Sequence, residues 1–189
     1  MKELNVTIVG VSPLLMHSCR GVNPTEPLVV ERKKLTGKRK KVEEDTIAIL
    51  NIDYRLAIYH DPEIGPYLPA ECVEATCRES AKKNKQGKTV QTALFVTPDR
   101  IPLEYTGPRD IEELVNNNDF RDVRAGNIQR AKILICRPRF NHWKASFTVC
   151  YDENLLDLED IKEIVVRAGQ QVGICDYRPR YGKFNAFFD

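Results

Sequence analysis

Tyr177, Arg178, Arg180, Tyr181 and Lys183 crowd into seven consecutive residues near the end of the chain, shortly after Gly173. These residue types suit one task. Guanidinium groups grip phosphates through paired N–H donors, and a tyrosine ring stacks on a base of any identity. A glycine such as Gly173 lets backbone approach a sugar-phosphate chain closely. The same residues would also serve an ordinary helix-to-strand loop whose arginines pair with the acids of 152–163.

A second basic cluster holds Arg137, Arg139, His142, Trp143 and Lys144, with Arg121 and Arg124 a little earlier. Trp143 is the only tryptophan, and beside cations at a turn it reads either as a stacking platform or as core. A third cluster, 31–41, carries seven Lys/Arg against one Glu, among them Lys33, Lys34, Arg39 and Lys40. The formal charge is only +2, so the feature to explain is this segregation of charge into blocks. His17, at a strand end, reads from the residues alone as a hydrogen-bonding group. No phosphate loop, dinucleotide fingerprint or Ser-His-Asp arrangement is present.

Positioning these groups requires a core. Alternating Leu4, Val6 and Ile8 predict a first strand. Residues 18–45 read as an exposed excursion, a long loop or a hairpin with Thr36 and Gly37 at its tip. Segment 46–59 fits a helix or a strand equally well. Pro69, the early acids Glu71 and Glu74 and the late cations Arg78, Lys82 and Lys83 predict a helix over 69–84. Residues 91–105 read as strand, turn and strand. Residues 106–130 read as a second exposed excursion, with a short helix near 109–116 followed by a flexible run. Two strands follow at 131–137 and 143–151, joined by a turn at 138–142. Leu158, Ile161, Ile164, Val165 and Ala168 mark a helix over 158–169, and KFNAFF at 183–188 a closing strand. The expected fold is α+β: a modified ferredoxin-like, RRM-like antiparallel sheet with two main helices and exposed basic insertions.

The chain has 189 residues, 42% hydrophobic and 30% charged, which suits a single soluble domain spanning 1–189. It has no apolar run long enough for a membrane helix and no signal-peptide pattern, so a cytoplasmic location is expected. Six scattered cysteines without a CxxC pair read as reduced, and no metal or cofactor is expected.

The closing VGICDYRPRYGKF resembles the glycine-rich loop and final strand of the RAMP superfamily, the ferredoxin-like nucleic-acid binders of CRISPR effector complexes. Together with the opening VTIVGVSPLLMHS it is also similar to phage-encoded proteins of this layout. The resemblance covers about the first 20 and last 60 residues. It implies a sheet core whose protrusions grip single-stranded RNA or DNA, with self-association along the strand as in backbone subunits. Strand-gripping residues would be Lys33, Lys34, Arg39, Lys40, Arg121, Arg124, Arg137, Arg139, Trp143, Gly173, Tyr177, Arg178, Arg180, Tyr181 and Lys183. Two rivals remain: a RAMP-type RNA endonuclease using His17 or His60, and a phage protein that mimics an effector subunit and binds protein instead.

Overall fold

The computed structural model describes residues 1–128 and 131–189, with side chains throughout except at 127–131. Its largest sheet has four antiparallel strands: β1 (Lys2–Gly10), β5 (Leu94–Thr97), β9 (Lys144–Tyr151) and β10 (Phe184–Phe188), in the order β10-β1-β9-β5. Alternation in β1 buries Leu4, Val6 and Ile8, as the sequence predicts. Register then builds apolar rows across the sheet, Phe188–Val6–Phe147 and Leu4–Val149–Val96 among them.

Two helices cover this face. One is α3 (Ala70–Ala81), entered through Pro69 and closed by Arg78 in its last turn. The other is α6 (Leu158–Arg167), capped by Asp157, whose carboxylate accepts from the Asp160 N–H at 2.8 Å. Val73, Cys77 and Ala81 from α3 join Ile161, Ile164 and Val165 from α6 in one core cluster with the sheet's apolar rows. Ser80 ties the helices together by donating to the Ile164 carbonyl at 2.9 Å. In chain order the layer runs β1, α3, β5, β9, α6, β10.

A second layer is a three-stranded antiparallel sheet, β2-β8-β7, of β2 (Leu14–Leu15), β7 (Arg121–Ile128) and β8 (Ala131–Phe140). Helix α2 (Glu43–Ala57) packs against it, and α1 (Pro27–Thr36) packs on α2. A third, small sheet joins β3 (His60–Asp61), β4 (Gly65–Pro69) and β6 (Arg100–Pro102). Short helices α4 (Gly87–Ala93) and α5 (Ile111–Val115) complete the set.

Parts of the expected layout need correction. The 18–45 excursion is helical, because Val29 on α1 packs into Ile52 and Leu56 on α2 while Arg32 pairs with Asp53. Thr36 and Gly37 end a helix there and do not form a hairpin tip. Segment 46–59, open between helix and strand, is helical as far as Ala57, where α2 ends. The expected flexible run after 116 is mostly strand β7, which pairs residue for residue with β8 from Arg121↔Pro138 to Ile128↔Ala131; residues 129 and 130 of that excursion lie outside the described residues. The strand, turn and strand expected over 91–105 are β5 and β6 on either side of Pro98 and Asp99, after residues 91–93 close α4; β5 pairs with β9 and β6 with β4. Likewise β8 and β9 belong to different sheets, and the 141–143 stretch carries the chain between layers.

Trp143 anchors that crossing. Its indole is buried at 3% exposure, occupies the space a Cβ on Gly10 would need, and donates from Nε1 to the Ser12 carbonyl at 2.9 Å. Among the described residues, no helix is long and apolar enough to cross a membrane. Truncating Trp143 to alanine removes a large buried ring and a hydrogen bond between layers. Urea unfolding of Trp143→Ala should show about 3–5 kcal/mol lost; near-wild-type stability would mean that the indole carries little of the packing.

Candidate nucleic-acid interface

Helix α6 continues into one π-turn, Ala168–Val172, and the chain then enters the loop 173–183 that leads into β10. This loop is held by backbone. Ile174 N–H donates to the Gly182 carbonyl, Asp176 N–H to the Leu15 carbonyl and Gly182 N–H to the Pro13 carbonyl, each at 2.9 Å. Lys183 N–H reaches Ser12 Oγ at 2.9 Å, and the Lys183 carbonyl accepts from Val11 at 2.8 Å. Gly182 has φ +70°, and a Cβ there would lie 2.0 Å from the Ile174 carbonyl oxygen. Only glycine permits both the dihedral and the close crossing.

Cys175 and Tyr177 also adopt left-handed φ, 63° and 60°, conformations that side-chain-bearing residues hold only when their surroundings impose them. The result is a tight loop on which Tyr177 as a residue is 49% exposed.

The β7–β8 hairpin supplies the other half. Asp122, Arg124, Arg137 and Arg139 share one face, because Asp122 sits opposite Arg137 and successive same-side residues are two apart. Arg124 stands over two rings, its guanidinium carbon 4.9 Å from the Tyr181 centroid and 5.5 Å from that of Tyr177. Arg137 lies 5.8 Å from the Tyr177 centroid, and Arg180 5.8 Å from that of Tyr181. The two tyrosines meet edge to face at 5.8 Å.

Two aspartates orient this array. Asp122, 4% exposed, pairs with Arg124 at 2.6 Å and with Arg139 at 3.6 Å, while Asp176 accepts from Arg137 Nε. A carboxylate this buried is tolerated because it is paired. Five arginines against two aspartates leave the surface cationic, with Arg178 and Arg180 exposed beside Tyr177. An open groove of about 880 Å³ continues from Tyr177 and Arg178 past Gln171 to Lys82 and Lys83.

The structure thus gathers Arg124, Arg137, Arg139, Tyr177, Arg178, Arg180 and Tyr181, which the sequence carries on two separate segments. The other expected residues lie elsewhere or act otherwise. Trp143 is core, so its ring has no face for a base. Tyr181 is 8% exposed and its hydroxyl is engaged by Arg124, which makes it a support for the arginines and not a free stacking surface. Arg121 points to the opposite side of β7, where it donates to Asn51 at 2.7 Å and to the Val115 carbonyl. Gly173, with φ +80°, packs its Cα against the Tyr181 carbonyl to close the loop, so it offers no open backbone. Lys183 is half-buried. Lys33, Lys34, Arg39 and Lys40 are exposed at and beyond the end of α1, and among the described residues no hydrogen bond or ion pair ties them to the arginine cluster.

His17 and His60 have different hydrogen-bond surroundings. His60 bonds through Nε2 to the Arg109 carbonyl at 2.8 Å, whereas His17 receives the Tyr59 hydroxyl at its backbone carbonyl. Burial pushes the Tyr59 phenol well above its ordinary range. Asp122 and Asp176 are the site residues the sequence reading missed. The Asp-x-Arg spacing at 122 and 124 on a strand was the available signal, since i and i+2 share a face.

The hydrogen bond from Arg124 stabilises the Tyr181 phenolate and lowers its pKa, while burial raises Tyr105 to about 12. A phenolate absorbance titration should therefore find one tyrosine ionising early, ahead of Tyr105. Losing the donor removes the stabilisation of the anion, so Arg124→Gln should move that step to higher pH; an unmoved titration would break the assigned contact.

No protein-family model and no curated protein matches the chain.

Proposed function

We propose that this protein is a non-catalytic binder of single-stranded RNA or DNA, on a ferredoxin-like core of the RAMP kind. The observation that carries the reading is Tyr177: a half-exposed tyrosine on a loop pinned by backbone hydrogen bonds, with Arg124 and Arg137 near its face and Arg178 and Arg180 beside it. A base laid on that ring would bring its flanking phosphates within reach of the exposed arginines. The aspartates fix Arg124 and Arg137 before any strand arrives, so less side-chain freedom is lost on binding. The groove toward Lys82 and Lys83 gives the strand a cationic way onward, and Lys33, Lys34, Arg39 and Lys40 would extend the contacts from the α1 side.

Support for the ferredoxin-like assignment comes from connectivity. The succession β1, α3, β5, β9, α6, β10 with order β10-β1-β9-β5 has the β-α-β-β-α-β rhythm, the first strand central and both helices on one face. The loop that bears Tyr177 leads into the last strand, where the resemblance to RAMP proteins implies a nucleic-acid contact. Self-association along the strand belongs to the same reading.

Fluorescence anisotropy with labelled RNA and DNA single strands tests it. Affinity should fall steeply with salt. The double variant Arg178→Ala/Arg180→Ala should weaken binding at least roughly tenfold and reduce the salt slope by about 2, with an unaltered thermal unfolding curve. Unchanged affinity in the folded double variant would overturn the assignment.

A further inference from the structure

Strand β8 is paired over most of its length, Ala131 to Pro138, on one side only. On that side it meets β7. On the other, β2 covers just its end, through Leu14↔Phe140 and Leu15↔Arg139, followed by the Met16 N–H donating to the Pro138 carbonyl at 3.1 Å. The covering chain then leaves: Ser18 N–H turns to the Ala57 carbonyl at the end of α2, at 2.8 Å. Successive residues of a strand point their N–H and C=O to alternate sides. Cys136 and Leu134 therefore share the side of Pro138, and among the described residues their backbone groups have no hydrogen-bond partner there. Proline at 138 fits this edge, since it supplies an acceptor and needs no partner for a donor.

A cleft of about 550 Å³ occupies the wedge so opened, between this edge, the 17–22 segment and the α1–α2 pair. Its lining is chiefly apolar, with Val22, Val29, Leu56, Ile133 and Ile135 contributing. Val22 is 82% exposed, an apolar side chain left open to water at the cleft mouth. Asp53, the acid on the wall, is already paired with Arg32, whereas Lys33 at the rim has no acid within ion-pair distance among the described residues. An unpaired strand edge beside apolar pockets is the arrangement that takes up an extended peptide as an added strand.

We infer that this wedge binds an extended segment of a partner protein, added as a strand to the free edge of β8 at Leu134–Cys136, with apolar side chains at alternate positions and an acidic side chain toward Lys33. Backbone hydrogen bonds would supply the register, and the cleft would select the side chains. The site is separate from Tyr177 and does not depend on the nucleic-acid reading.

The test uses a displayed library of short random peptides selected against the full chain, with amide hydrogen exchange on the enriched sequences. Enriched peptides should alternate apolar and other residues with at least one acid, and should slow exchange at Leu134 and Cys136. N-methylation of the peptide at one alternate set of amides should abolish binding and at the other set leave it intact, a readout that needs no change to the protein. Val22→Asp, at an exposed position, should weaken binding at least roughly tenfold in a protein whose thermal unfolding is unchanged. No enrichment, protection confined to other amides, or indifference to both N-methylation sets would overturn the inference. Loss of strand binding at Arg178 and Arg180 would leave it untouched.

Discussion

Pairing of the first strand with the last sets the geometry of the working face. β1 and β10 run antiparallel from Val6↔Phe188 to Gly10↔Phe184, so the segment leaving β1 and the loop entering β10 emerge at the same end of the sheet. There residues 11–16 and 174–183 can exchange backbone hydrogen bonds, and Gly182 makes the approach possible. The same 11–16 segment continues as β2 onto β8, which brings the β7–β8 hairpin to the loop. Three stretches far apart in sequence thereby become one surface. Trp143, wedged over Gly10 and bonded to Ser12, fills the joint from beneath.

Electrostatics on that surface follows from burial. Asp122 is nearly sealed from water and paired with arginines, and it holds Arg124 against the tyrosines. Arg124 then stacks on two rings at once, an interaction that lysine could not reproduce because it lacks a planar cation. Arg178 and Arg180 differ in kind. They are exposed and uncommitted by comparison, suited to meeting a charged ligand and contributing little to the fold.

The elements that could be read from sequence were those with a single environment. β1, β9 and α6 each bury one face, so period 2 or 3.6 shows directly. Helix α1 is charged on most of its surface and buries only Val29 fully, so composition suggested a loop where tertiary contact with α2 dictates a helix. β7 opens Arg-Asp-Val-Arg with charge on both faces, Asp122 and Arg124 in the arginine cluster and Arg121 toward Asn51, and charge hid the strand. For the site, the loop arginines and Tyr177 were legible as types. That Tyr181 and Trp143 are supports was not, because a ring's exposure depends on partners distant in the chain: Arg124 in one case, Gly10 and Ser12 in the other.

Photocrosslinking of single strands carrying a halogenated pyrimidine, followed by mapping of the attached residue by mass spectrometry, bears most directly on whether this surface holds nucleic acid. Crosslinks at Tyr177, with any others falling in the loop 173–183 or on the hairpin face of Arg124 and Arg137, are the expected result. Crosslinks confined to the uncovered sheet face of Asn5, Thr7, Ser146 and Thr148, or absent at every strand concentration, would contradict it.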